Sequence, residues 1–131
     1  MKNLKYILLL SLFALVSCKD ADLSGDYDVV MVGENDYSDH DITLNIAMSD
    51  GENKISGKSA CNSYFGSFEV VEGNQVKISP MGMSKMMCPE TIGIERDYHK
   101  HLRQVTQVNP TSDGLELLDE NGSILITAIK K

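Results

Sequence analysis

Cys61 and Cys88 are the residues of this 131-residue chain with the widest choice of chemistry. A cysteine nucleophile needs a histidine base and an orienting group nearby, and only His40, His99 and His101 could supply the base. A thiolate can also bind a soft metal: Met81, Met83, Met86 and Met87 crowd ahead of Cys88 within eight positions, a thioether and thiolate set suited to Cu(I). The plainer alternatives are that the methionines fill a core, with Met81 and Met83 on one face of a strand, and that the two cysteines bond to each other. His99 and His101 offer no chelate, because residues two apart on a helix point about 200° from one another. They read as one exposed histidine and one at the edge of the helix face. No G-x-S-x-G, H-E-x-x-H, P-loop or dinucleotide-binding spacing occurs. The expectation is a non-enzymatic protein with no catalytic residue and no cofactor.

The N-terminus sets the redox context of those cysteines. "MKNLKYILLLSLFALVSCKD" carries two lysines, an apolar run from Tyr6 to Val16, and small Ser17 before Cys18, the pattern of a secretory signal peptide over residues 1–17. The run is well short of the roughly 20 residues of a membrane-spanning helix. Leu15-Val16-Ser17-Cys18 resembles the bacterial lipobox, in which cleavage precedes the cysteine and the thiol takes a diacylglycerol. That resemblance implies a lipoprotein anchored to the membrane through Cys18, with a lipidated tether over residues 18–24. Acyl chains such as palmitate, at about 0.8 kcal/mol per buried CH₂, make such anchoring effectively permanent. Lys19 is not the aspartate that retains many such proteins at the inner membrane, and "KDAD" resembles an acidic signal for export to the cell surface. The expected location is therefore the cell envelope, at the outer membrane, on its periplasmic face or at the surface. With Cys18 acylated, Cys61 and Cys88 remain as an even pair in an oxidising compartment, which favours a disulfide. It would close a loop of about 28 residues, worth on the order of 3.5 kcal/mol in the chain-entropy picture.

Removing residues 1–17 leaves 114 residues, enough for one domain with a modest core, and moves the net charge from −7 to −9 because Lys2 and Lys5 leave. An acidic chain without a basic cluster repels phosphate backbones, so nucleic acid is not an expected partner. Turn pairs punctuate the chain at Asp50-Gly51, Gly73-Asn74, Asp113-Gly114 and Asn121-Gly122. Between them, residues 26–32, 42–48, 64–71, 75–79, 115–119 and 123–129 alternate as half-buried strands do. Asn121-Gly122 favours two positive φ angles and a tight hairpin. From Pro89 the period changes: Ile94, Tyr98, Leu102 and Val105 fall near one face of an amphipathic helix, with Pro89 in its first turn and Glu90 at its positive end. The fold class is α+β, a mostly antiparallel, curled sheet with that helix packed against it, over residues 25–131 and as a monomer.

These blocks carry a family resemblance. "ISGKSACNSYFGSFEV", "MSKMMCPE", "ERDYHKHL" and "LELLDENGSILI" resemble successive blocks of the META domain, the HslJ-like family of bacterial envelope proteins. The matching positions are Cys61, Asn62, Tyr64 and Gly66; Met86 and Cys88; Glu95, Tyr98 and Leu102; and the C-terminal hairpin. Ala60 stands where the family usually has glycine, Ser84 where it has threonine, and Tyr27 where it has tryptophan. The resemblance implies a cracked β-barrel closed by a helix, Asn62, Tyr64, Gly66, Glu95, Tyr98 and Leu102 as a structural motif, and the cysteines as a staple. It also implies a role in envelope maintenance, stress or antibiotic tolerance, through an unknown envelope protein or a small apolar ligand. Asn62 would then serve backbone geometry, since asparagine tolerates positive φ and bonds nearby backbone. Two other functions fit the residues, a copper-binding module built on Met81, Met83, Met86 and Met87, and a small inhibitor of an envelope hydrolase.

Overall fold

A computed structural model describes residues 22–131; the expected signal peptide, Cys18 and the tether as far as residue 21 lie outside the described residues. The elements run β1 (Gly25–Val32), β2 (Asn35–Asp36), β3 (Thr43–Ser49), β4 (Glu52–Ser59), β5 (Asn62–Glu72), β6 (Gln75–Ile78), β7 (Gly82–Met83), α1 (Ile92–Leu102), β8 (Gln107–Pro110), β9 (Gly114–Leu118) and β10 (Ile124–Lys130). Every pairing is antiparallel. The order β1-β3-β4-β5-β6-β8-β9-β10 returns from β10 to β1, so eight strands close a barrel, while β2 extends β1 and β7 attaches to β5. Closure leaves the wall no free edge to aggregate.

Alternation explains the filling. Tyr27 and Val29 on β1, Leu44 and Ile46 on β3, Tyr64 and Phe68 on β5, and Leu115 and Leu117 on β9 turn inward, and their neighbours face out. Among the described residues the core runs from Leu23 to Ala128, and all eight strands that close the barrel lie within residues 22–131. Packing begins ahead of Gly25: Leu23 is buried and its carbonyl accepts the Tyr27 hydroxyl at 2.8 Å. That bond supplies the partner a tyrosine needs where the family usually has tryptophan.

The barrel wall is thinnest between β6 and β8. Their register contains one pair, Gln75 with Gln107, flanked by bonds from Val76 N–H to the Thr106 carbonyl and from Val108 N–H to the Asn74 carbonyl. Between these strands the chain leaves the wall, forms β7 and α1, and lays α1 against β1, β4 and β10. The helix starts at Ile92 with Thr91 as N-cap, so Pro89 and Glu90 lie in the preceding turn instead of the first helical turn. Val105 is buried but lies beyond the helix, in the loop after Leu102. Its buried face carries Glu95 and His99 along with Tyr98 and Leu102.

The C-terminal hairpin forms, but not through two positive φ angles. Only Gly122 is left-handed, at φ 80°, because the Asp119 carboxylate accepts the N–H groups of both Asn121 and Ser123 and widens the loop.

Candidate functional site

The turn between β4 and β5, Ala60-Cys61, is stapled to the loop before α1. Cys61 and Cys88 form a disulfide with a Cα–Cα distance of 6.3 Å, within the usual range. In that turn Ala60 has φ +74° and Cys61 does not share the left-handed region, the sign pattern of a type II′ turn, whose first central position favours glycine. Asn62, expected to tolerate positive φ, is instead an ordinary strand residue, and the strain falls on Ala60.

Beside the staple lies a buried polar cluster. The Glu95 carboxylate accepts the Asn62 backbone N–H at 2.7 Å, the Asn62 side-chain amide at 3.0 Å and the Ser59 hydroxyl at 2.9 Å. Asn62 Oδ1 accepts the Met86 N–H at 2.6 Å and the Ser84 hydroxyl at 3.0 Å. One asparagine thus ties the β4–β5 turn to the helix and to the loop carrying Cys88. Ser84 keeps the hydroxyl that the family's threonine would provide. The Ser59 hydroxyl has two acceptors, Glu95 Oε1 at 2.9 Å and the Asn62 carbonyl at 3.1 Å, and with its proton on either of them His99 Nε2, 3.1 Å from the same oxygen, is the donor to it. Burial pushes the His99 pKa down, the Glu95 charge opposing and the Arg103 charge adding to it. For Glu95, burial pushes upward, but the bonds from Asn62 and Ser59 and the nearby imidazole outweigh it, and the carboxyl sits below its ordinary value.

A second chain of bonds runs along the same interface. The Tyr64 hydroxyl donates to the Thr43 carbonyl at 2.7 Å, so the Tyr98 hydroxyl donates to Tyr64 across 2.6 Å. Burial raises both tyrosine pKa values. Gly57, opposite Tyr64, makes room for this: a Cβ there would collide with the Thr43 carbonyl and the Tyr64 hydroxyl. Among the described residues no buried side-chain nitrogen or oxygen lacks a partner.

The structure therefore gathers Asn62, Tyr64, Glu95 and Tyr98, far apart in sequence, into one network. Gly66 and Leu102 stand outside it. Gly66 admits the Met81 side chain, whose sulfur would come within 2.5 Å of a Cβ there, and Leu102 is buried at the end of the helix. Ser59 and His99 were not legible as members: Ser59 carries no spacing signal, and His99 is buried, not exposed or at the edge of a face. His101 is half-buried, not exposed, with its Nδ1 2.8 Å from the Asp97 carbonyl one turn earlier.

The methionines divide. Met81 packs against the core, Met83 on the two-residue β7 is 40% exposed, Met86 is exposed, and Met87 is 91% exposed. The Cys88 sulfur is held by Cys61, and among the described residues no cluster of three or more His, Cys, Asp or Glu side chains could hold a metal. Next to the polar cluster, Ile78, Pro80, Met81, His99, Leu102 and Arg103 line a largely apolar cleft of about 260 Å³. A second cavity of about 250 Å³, lined by Met83, Ile92, Glu95, Arg96, His99 and Arg103, shares His99 and Arg103 with it.

A family profile described as META domain matches residues 21–131. An NMR structure of a protein from Burkholderia xenovorans has a similar fold, with a TM-score of 0.63 at 21% identity over 83% of each chain. A search of curated proteins finds no match.

Proposed function

The chain belongs to the META domain family, and from that premise we propose that it is a lipid-anchored, non-enzymatic envelope protein, which binds a small apolar ligand or a protein partner in envelope maintenance or stress tolerance. The cleft beside His99 carries the binding reading, because it places Ile78, Met81 and Leu102 around a space that solvent can enter. Helix α1 acts as an amphipathic stopper, with Tyr98 and Leu102 toward the barrel and Lys100 toward solvent.

The absence of chemistry in this reading rests on Ser59. It is the hydroxyl nearest both a carboxylate and an imidazole, yet it is fully buried and has the Glu95 carboxylate and the Asn62 carbonyl as acceptors for its proton. In a hydrolytic triad the serine donates to the imidazole and the acid orients the other ring nitrogen. Here the acid holds the serine itself.

Two experiments test the proposal. Radiolabelled palmitate should enter the wild-type protein and not Cys18→Ser; equal labelling of both ends the anchor. Protein recovered from its own envelope should carry a co-purifying apolar molecule or a cross-linked protein that is lost in Met81→Asp at equal folded yield. Identical recovery from the two would remove the cleft from the function.

A further inference from the structure

Arg96 and Arg103 are the only arginines in the chain, and both line the second cavity. Neither forms an ion pair with a described residue, although acidic side chains outnumber basic ones 19 to 12. Seven positions apart, they stand on the same side of α1. The helix dipole accounts for a cation at Arg103, next to the negative C-terminal end, but Arg96 sits in the first half of the helix where a cation gains nothing from it. The rest of the lining includes the apolar side chains Met83 and Ile92, 40% and 45% exposed. Glu95 also faces this cavity, but its carboxylate is already occupied by Asn62 and Ser59.

The combination of apolar clefts and two guanidinium groups without an ion-pair partner among the described residues fits an anion carried on a hydrocarbon chain. Arginine is the side chain best shaped to clamp a carboxylate, through two parallel N–H donors. Size narrows the class further. Each cavity falls below the roughly 300 Å³ at which typical small-molecule pockets begin, so a two-chain lipid does not fit, whereas a single chain suits the two adjoining spaces, whose linings share His99 and Arg103. We propose that these adjoining cavities bind a single-chain amphiphile with an anionic head, of the free fatty acid class, its chain along Met81 and Leu102 and its carboxylate between Arg96 and Arg103. This rests on the binding role proposed above and names the ligand chemistry for it.

The test uses residues 22–131, which hold all eight strands that close the barrel, and decanoate, decanol and decyltrimethylammonium as probes, followed by the methyl NMR signals of Met81 and Met83. Decanoate should shift both signals saturably. Decanol should bind at least about tenfold more weakly, the Arg96→Gln/Arg103→Gln double variant should lose about as much affinity for decanoate, and the cationic amphiphile should leave the signals unmoved. Equal affinity for decanol and decanoate overturns the anionic head while leaving an apolar ligand in place. Silence from all three probes, in protein whose spectrum is that of the folded barrel, removes the small ligand altogether and leaves only a protein partner for the binding role. Co-sedimentation with vesicles of anionic lipid that depends on the two arginines, without a saturable decanoate shift, would assign them to a membrane surface and overturn the cleft site.

Discussion

At the scale of single residues, the turn that bears Cys61 holds a correctable strain. A non-glycine residue in the left-handed region costs about 1–2 kcal/mol, and glycine returns part of that, about 0.4–1 kcal/mol, through the greater freedom of the unfolded chain. Ala60→Gly should therefore stabilise the domain by about 0.5–1 kcal/mol, read as a higher urea midpoint at unchanged slope. A lower midpoint would mean that the Ala60 methyl group contributes packing that outweighs its backbone strain. His99 and Glu95 give the pH dependence. His99 is depressed below its ordinary 6.5, so between its folded pKa and that value the unfolded chain binds more protons, and stability falls as pH falls through the window. Glu95 is depressed below 4.5 and has the same sign: its contribution is complete above that value and is lost as pH drops through the folded pKa. His99→Gln keeps a donor for Ser59 but cannot titrate, and it should flatten the decline in stability that sets in as pH falls below 6.5 while leaving the further loss below 4.5 that Glu95 causes. An unchanged decline would place the titration elsewhere.

Elements show which parts of the fold the sequence could announce. Strands β1, β3, β5, β6, β9 and β10 were legible because alternating apolar residues mark them, and each lies within about two residues of its expected bounds. Strand β4 was not legible: "ENKISGKS" buries only Ile55 and Ser59, and its lysines and glycine hide a strand held mainly by backbone pairing to both neighbours. Strand β8 is four residues long with Val108 as its one buried side chain and a proline at its end. The polar cluster was half legible. A family pattern singled out Asn62, Tyr64, Glu95 and Tyr98, but periodicity looks for apolar faces and passes over a helix that turns a glutamate and a histidine inward. The disulfide joins two of these elements, the β4–β5 turn and the loop into α1, and encloses β5, β6 and β7. Its reduction should lower stability by up to about 3.5 kcal/mol without unfolding the domain, because β1, β3, β9, β10 and the helix lie outside the closed loop. Denatured, unreduced protein of residues 22–131 should show no free thiol, and Cys61→Ser and Cys88→Ser should match each other in stability, with the double variant no worse. Unequal single variants at matched protein levels would point to chemistry at one sulfur.

For the whole molecule, closure is complete but uneven. Strands β4 and β5 pair over seven registered positions and β1 with β10 over five, whereas β6 meets β8 at one. A closed barrel opens where the fewest backbone bonds must break, and local opening draws on the least protected unit first. The chain that leaves the wall at this seam is the one that builds the cleft, so access to the cleft and opening of the barrel share a boundary at Ile78 and Leu102. Hydrogen exchange should reveal this. The amides of Val76 and Val108 are hydrogen-bonded and their side chains are buried, so static burial alone would protect them as well as Ile55 or Val29. If the seam is the weak line, both should exchange at least about tenfold faster than the β4–β5 amides, through an opening about 1.4 kcal/mol or more cheaper than that of the opposite wall. Reducing the disulfide should widen this difference, since β5 through β7 are then held to α1 only by Asn62 and Tyr64 among the polar contacts of the cluster. Uniform protection around the barrel would mean that α1, packed across β1, β4 and β10, braces the wall as a single unit, and that ligands reach the cleft without the seam parting.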